Sequence, residues 1–327
     1  MRIVFRFILI ILSIATGGMF LYSAWTKVLP IQPFEYTIVE HLHLPWLAAS
    51  ILARLMIGLE AALGGLIVLH LFGKNKLVLK LAFALLVLFS IYLVWLWASA
   101  GNEVNCGCFG DYIWMSPSAS LIKNAVLLLF TAILIRWHHS LHFKWATPIT
   151  SLLLMVGVVL PSVLFPISIG KPSWVKQDKF KLDFTPLYNP IKDDTAALRV
   201  PYPDKPSIDL SRGKYIIAFV SPSCEHCRIA ARKMSIMKKD NPSLPFFMII
   251  GGIASDLTDF WKYTNSGNIL YMRLHRNPFL DYTGGMFPQI FWINNGWVEA
   301  KSSYNTLNQH EIEQWMLSTS QDSTHTH

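Results

Sequence analysis

The chain has 327 residues, a net charge of +8, and 53% apolar against 15% charged residues. A soluble globular domain carries about 25% charged residues, so this composition excludes an ordinary soluble protein. The charge also does not make a nucleic-acid binder, because several cations flank apolar spans and no basic stripe interleaved with aromatics is present. The apolar residues concentrate before residue 169 and the charges rise after it, which predicts a membrane half followed by a soluble half.

Crossing a bilayer core takes about 20 apolar residues. Five stretches reach or approach that length, at 4–24, 46–72, 77–100, 119–136 and 147–168. The fourth is short, so the prediction is a bundle of four to five transmembrane helices over 1–168. Arg2 and Arg6 give the first stretch the charged start of a signal peptide. Its length and the lack of a small-residue cleavage site favour an uncleaved span. Cations set orientation. Arg2, Arg6, Lys74, Lys76, Lys80, Arg136 and Lys144 fall on one side, against Lys27 on the other. The first side is then cytoplasmic. The loop at 101–118 and everything after residue 169 lie outside, on the periplasmic face of a bacterial inner membrane.

Residues 169–212 carry Pro172, Pro186, Pro190, Pro201, Pro203 and Pro206 with few apolar runs between them, and read as a semi-rigid tether. From 213 to 318 strands and helices alternate. "KYIIAFV", "LPFFMIIGG" and "ILYMRLH" read as strands. Residues 224–239 and "SDLTDFWKY" read as helices. "QIFWINNGWVEAK" is a hairpin turning at Asn295-Gly296, and "LNQHEIEQWML" a closing amphipathic helix. This is an α/β sheet domain. The tail at 319–327 is polar and expected to be disordered.

The four cysteines form two tight pairs, "NCGCFGD" and "SPSCEHCRIA". Cys224 and Cys227 follow a strand and open a helix, where exposed N–H groups and the macrodipole stabilise a thiolate. Cys224, nearer the helix start, is the expected nucleophile, and Cys227 resolves the mixed disulfide. A protonated His226 between them would favour the thiolate further. The alternatives are a structural disulfide or a zinc site using both pairs. C-x-x-C in this context favours redox chemistry, and no metal is expected. The stretches "IIAFVSPSC", "CEHC" and "GMFPQIFWINNG" resemble the thioredoxin-like domains of bacterial envelope thiol–disulfide proteins. The resemblance implies that Pro288 is a cis-proline facing the cysteines and that Phe287 offers its backbone to a substrate strand. "SPSC" departs from the usual Trp-Cys.

A disulfide between Cys106 and Cys108 would close a small, strained ring across Gly107. Strained, exposed disulfides are the labile or catalytic ones. Trp95, Trp97, Tyr112 and Trp114 around the pair read as an interfacial belt, or as the lining of a quinone pocket. The stretches "SAWTKVLPIQPFEYTI", "GLEAALGGLIVL" and "NCGCFGD" resemble the DoxX-like family, and more closely its MauE branch, the methylamine-utilisation membrane proteins. That resemblance implies a small helical bundle linked to disulfide formation or quinone-coupled redox chemistry, and by its label methylamine metabolism.

Glu60 lies inside the second span, where a carboxylate is costly. It is either a proton relay for thiol oxidation or a packing partner of Arg54 or Lys27. Arg54 and Lys27 are expected to snorkel, and His41 and His43 to be passive interface residues.

All four thiols fall outside by this topology, so a client dithiol would reduce Cys224–Cys227. That pair would reduce Cys106–Cys108, and electrons would leave to a membrane quinone. The expected partners are cysteine-bearing envelope proteins and lipid. Two alternatives remain: a reductase or isomerase fed by a partner protein, and a non-enzymatic assembly factor.

Overall fold

The computed structural model describes residues 2–111, 113–138, 146–167, 170–175, 180–189, 205–251, 257–274 and 276–318. It divides into two compact units, Met1–Ile167 and Ser168–His327.

The first unit is helical: α1 (Arg2–Val28), α2 (Gln32–Leu42), α3 (Trp46–Val68), α4 (Leu77–Ala100), the short strand β1 (Cys108–Asp111), α5 (Pro117–Trp137) and α6 (Ala146–Leu164). Five of these helical segments are long and apolar enough to cross a membrane, and the chain is a multi-pass membrane protein. The spans differ in burial: α3 is buried over more than half of its length, while α1, α4, α5 and α6 keep most of their residues on apolar outer faces. Leu63, Ile67, Leu79 and Leu134 lie in one such core. α1 and α3 touch backbone to backbone, since a Cβ on Gly17 would lie 2.6 Å from the Gly64 carbonyl oxygen. Small residues allow such approaches within bilayers. The N-terminus of α5 is capped by Ser116, whose Oγ accepts from the Ala119 amide, with Pro117 in the first turn.

The periodicity of the spans gave no sign of α2. It lies between α1 and α3 and buries Pro33, Phe34, Tyr36, Thr37 and Ile38. His41 is half-buried on this helix, and His43 ends it exposed, in a left-handed conformation.

The second unit contains β2 (Ser173–Trp174), α7 (Thr185–Tyr188), β3 (Lys214–Val220), α8 (Glu225–Asp240), β4 (Phe246–Gly251), α9 (Leu257–Thr264), β5 (Leu270–Leu274), α10 (Arg276–Thr283), β6 (Gln289–Asn294), β7 (Trp297–Ser302) and α11 (Gln309–Leu317). The sheet order is β2-β7-β6-β3-β4-β5. β3, β4 and β5 run parallel, while β6 and β7 join antiparallel. The central strands β3 and β4 are buried along nearly their whole length, which is why they read as continuous apolar runs rather than alternating ones. The hairpin turns at Asn295 and Gly296, both with positive φ, as a tight primed turn requires.

The tether expected over 169–212 is corrected at its described residues. Ser173 and Trp174 pair with Lys301 and Ala300 as an added edge strand, and Lys181 bridges to Trp297. Leu182, Phe184, Leu187 and Leu210 are buried in the domain core. Sparse apolar residues between prolines are enough to anchor this segment, and Pro186 starts a helical turn rather than extending the chain. Pro190, Pro201 and Pro203, Tyr112 and the tail at 319–327 lie outside the described residues. The helix α10, between β5 and the hairpin, was also hidden in the sequence.

Candidate functional site

Two thiol pairs are present, each unbonded and each split between one buried and one more accessible cysteine.

In the second unit the backbone turns from β3 into α8 through Ser221, Pro222 and Ser223. Cys224 is the N-cap of α8, and its sulfur accepts from the Cys227 amide at 3.3 Å. The thiol of Cys224 faces the Phe287 carbonyl oxygen at 3.7 Å, and the Phe287–Pro288 bond is cis. The resemblance to thioredoxin-like domains and the geometry therefore agree on this corner of the fold. A hydrogen bond from the Cys227 thiol, aided by the Cys227 amide and the His226 charge, pulls the Cys224 thiol down to about 6 against the effect of burial. Burial and the bond it donates push Cys227 up. His226 stacks on Tyr304 with ring centroids 5.3 Å apart, which fixes its place beside the pair. Arg228 Nε donates to the Pro222 carbonyl at 2.7 Å and braces the turn before the nucleophile.

In the first unit Cys106 and Cys108 lie between α4 and α5. Asn105 organises this loop. Its Oδ1 accepts from the Gly107 amide at 3.2 Å and the Met115 amide at 3.4 Å, and its Nδ2 donates to the Gly110 carbonyl at 3.2 Å. Cys106 is 3% exposed. Its sulfur lies 2.9 Å from Ser120 Oγ and accepts from the Cys108 amide at 3.3 Å. The Cys108 thiol is held down to about 6, first by a hydrogen bond from Cys106, then by the charges of Lys123 and Lys27. Its own bond to Cys108, followed by burial, pushes Cys106 up. The strand carrying Cys108 packs on α1. There a Cβ on Gly110, whose φ is +59°, would stand 2.7 Å from the Thr26 carbonyl oxygen.

Glu60 is 2% exposed and pairs with Lys27, itself 3% exposed, at 2.6 Å. The expectation that Lys27 and Arg54 snorkel is thus corrected. A lysine at the end of α1 finds its carboxylate inside the bundle. Arg54 is buried too, bonded to Glu35 and to the Phe165 carbonyl. Ser23 joins the first of these pairs to the cysteine loop, within 3.0 Å of both Glu60 Oε2 and the Cys108 carbonyl oxygen. Sequence reasoning missed Ser23, Ser120, Lys123 and Asn105. Of these, only Asn105, adjacent to Cys-Gly-Cys, had a signal that pointed to the site. Trp95, Trp97 and Trp114 are exposed.

Fold and site define a class: a thiol–disulfide oxidoreductase of thioredoxin-like fold joined to a multi-pass helical membrane domain. Residues 5–137 match the family model described as methylamine utilisation protein MauE. Protein TlpB of Flavobacterium psychrophilum is 26% identical over 335 positions, covering 87% of this chain and 88% of that protein. Among solved structures, a secreted Mycobacterium tuberculosis disulfide oxidoreductase homologous to E. coli DsbE is 16% identical with a TM-score of 0.26, over 32% of this chain and 80% of that one. The thioredoxin domain of a Bacteroides vulgatus thiol-disulfide oxidoreductase is 15% identical with a TM-score of 0.28, over 32% of this chain and 81% of that one.

Proposed function

We propose that this protein oxidises dithiols of cysteine-bearing envelope proteins on the periplasmic face of a bacterial inner membrane and delivers the electrons to a membrane quinone, which acts as a co-substrate. A client thiolate attacks the Cys224–Cys227 disulfide at Cys224. The second client thiol then displaces Cys224, leaving a client disulfide and a reduced Cys224–Cys227 pair. The Cys224 thiolate next attacks the Cys106–Cys108 disulfide at Cys108, and Cys227 resolves that mixed disulfide. Two electrons and the Cys106 proton pass from the pair to quinone, which takes its second proton from solvent, giving quinol and restoring the disulfide.

The observation that carries this reading is that both pairs have the same division of labour. In each, the less buried thiol is held in the thiolate range while its partner is buried. Thiol exchange runs through the thiolate, so each pair has one sulfur suited to attack or be attacked and one suited to resolve. Cys108 is the less buried member of its pair, and Ser120 Oγ lies 2.9 Å from the Cys106 sulfur. The placement of cysteines supports the direction. None lies inside a span or in a predicted cytoplasmic loop, where a carrier of cytosolic reducing equivalents would need one.

The test is quinone reduction by the full chain in lipid nanodiscs with a reduced dithiol peptide as donor. Turnover that disappears in Cys224→Ser and in Cys108→Ser is the expected result. A Cys224–Cys227 potential near −270 mV rather than near −120 mV would instead mark a reductase, and with no quinone reduction it overturns this reading.

A further inference from the structure

The Lys27–Glu60 pair is a buried charge pair that fold stability alone does not explain. Such pairs are often no better for stability than apolar residues of the same volume. Its position is specific. Lys27 Nζ lies between the rings of Phe34 and Phe89, at 5.1 Å and 5.5 Å from their centroids. It donates to Ser23 Oγ at 3.1 Å as well as to Glu60. Ser23, having accepted from Lys27, has one proton of its own for two acceptors, Glu60 Oε2 and the Cys108 carbonyl, both at 3.0 Å. The backbone of Cys108 and the charge state of the pair therefore compete for one hydroxyl.

We propose that Lys27 is a positioning residue for the Cys106–Cys108 couple: its ammonium, one hydroxyl away from the Cys108 backbone, adds to the support of negative charge on Cys108, and Glu60 sets how much of that charge reaches the sulfur. The charged and titratable groups around Cys108 come from every element packed on the loop. α1 supplies Lys27 and α3 supplies Glu60. α5 supplies Lys123, whose ammonium sits 4.5 Å from the Phe109 ring centroid. α4 supplies Tyr92, packed against the same cluster as both cysteines. The loop itself supplies Glu103 and Cys106. α2 brings Thr37 against Gly107, while its Glu35 is engaged by Arg54. Among the described residues, Lys27 and Lys123 against Glu60 leave one cation in excess beside the loop, which a thiolate at Cys108 neutralises. On reduction of the disulfide by a dithiol, two electrons enter the couple. Cys108 remains as thiolate, and one proton goes to Cys106. On oxidation that proton must leave, and the hydroxyl in contact with the Cys106 sulfur is that of Ser120, at 2.9 Å.

The inference rests on the proposed function only in taking Cys108 as the attacked sulfur, and its test does not depend on the direction of electron flow. In full-length protein reduced in nanodiscs, with Cys224→Ser and Cys227→Ser so that only the first pair reacts, the rate of Cys108 alkylation by iodoacetamide is followed from pH 4.5 to 9. Lys27→Met is expected to move the midpoint upward by about one pH unit, which is roughly a tenfold drop in thiolate at any pH below both midpoints. Glu60→Gln is expected to move it downward, because Lys27 is then uncompensated. Lys27→Arg restores the native midpoint. A merely structural pair would disturb the loop in both single variants with shifts of the same sign, or with none, and either result overturns the proposal. Where Lys27→Met does not fold, Glu60→Gln, which keeps the cation, is read alone. An upward shift or none in that protein overturns the proposal.

Discussion

The backbone N–H of Cys227 points at the sulfur of Cys224 across 3.3 Å. That geometry makes Cys224 the sulfur whose charge the helix supports and leaves Cys227, fully buried, as the one that must wait. Cys224→Ser is therefore expected to reduce dithiol oxidation to the uncatalysed rate. Cys227→Ser is expected to retain the first attack and accumulate mixed disulfide with a client peptide. Turnover and mass spectrometry of the trapped species check both.

A thiol held near 6 makes reactivity depend on pH in a defined window. Alkylation of Cys224 in the reduced protein is expected to rise with a midpoint at about 6. A free thiol titrates near 8.5. Because the folded value lies below the unfolded one, the thiolate stabilises the reduced domain fully above about 8.5 and loses that contribution as the pH falls through about 6. The melting temperature of the reduced form, compared with that of the disulfide form, is expected to rise between these limits. His226→Ala moves the alkylation midpoint upward, since the imidazole charge favours the thiolate.

The segment before β3 belongs to the core of the second unit. Leu187 is completely buried there, and Leu187→Ala is expected to cost about 2–5 kcal/mol, the range for truncating a buried leucine. Denaturant unfolding of the full chain, followed by Trp292 and Trp315 fluorescence, measures it. A change below about 0.5 kcal/mol would return the segment to the role of a tether.

Gly110 seats the first cysteine loop on α1. Gly110→Ala places a Cβ against the Thr26 carbonyl oxygen and puts an alanine in left-handed backbone, a conformation that alone costs roughly 1–2 kcal/mol. The loop is expected to lift, exposing Cys106. Maleimide labelling of Cys106 in the reduced protein should then rise severalfold over the native protein, where the side chain is closed off.

Much of this architecture was legible from pattern alone. The spans are long apolar runs, and β3 and β4 are continuous apolar runs bounded by turn residues. Asn295-Gly296 marks a hairpin whatever the context. Three features escaped for one shared reason, that their stabilising partners are remote in sequence. α2 is held by burial of Phe34 and Tyr36 in the helical bundle, not by its own periodicity. β2 has two residues and exists only because β7 offers an edge. Lys27 reads as an interfacial lysine until Glu60, 33 positions away, is placed beside it. At the sites, the cysteines announce themselves by spacing. Ser23, Ser120 and Lys123 do not, since a serine or lysine near a helix end has no pattern that separates support of a thiol from ordinary solvation.

The exchange between the two pairs is the centre of the account, and trapping it is the most direct measurement. In a chain carrying Cys227→Ser and Cys106→Ser, the remaining sulfurs, Cys224 and Cys108, have no resolving partners. After mild oxidation in nanodiscs, tryptic mass spectrometry should find the peptides containing these two residues joined by a disulfide, at a yield independent of added client. Recovery of both peptides without that bond, under conditions that crosslink Cys224 to a client peptide, would contradict the relay.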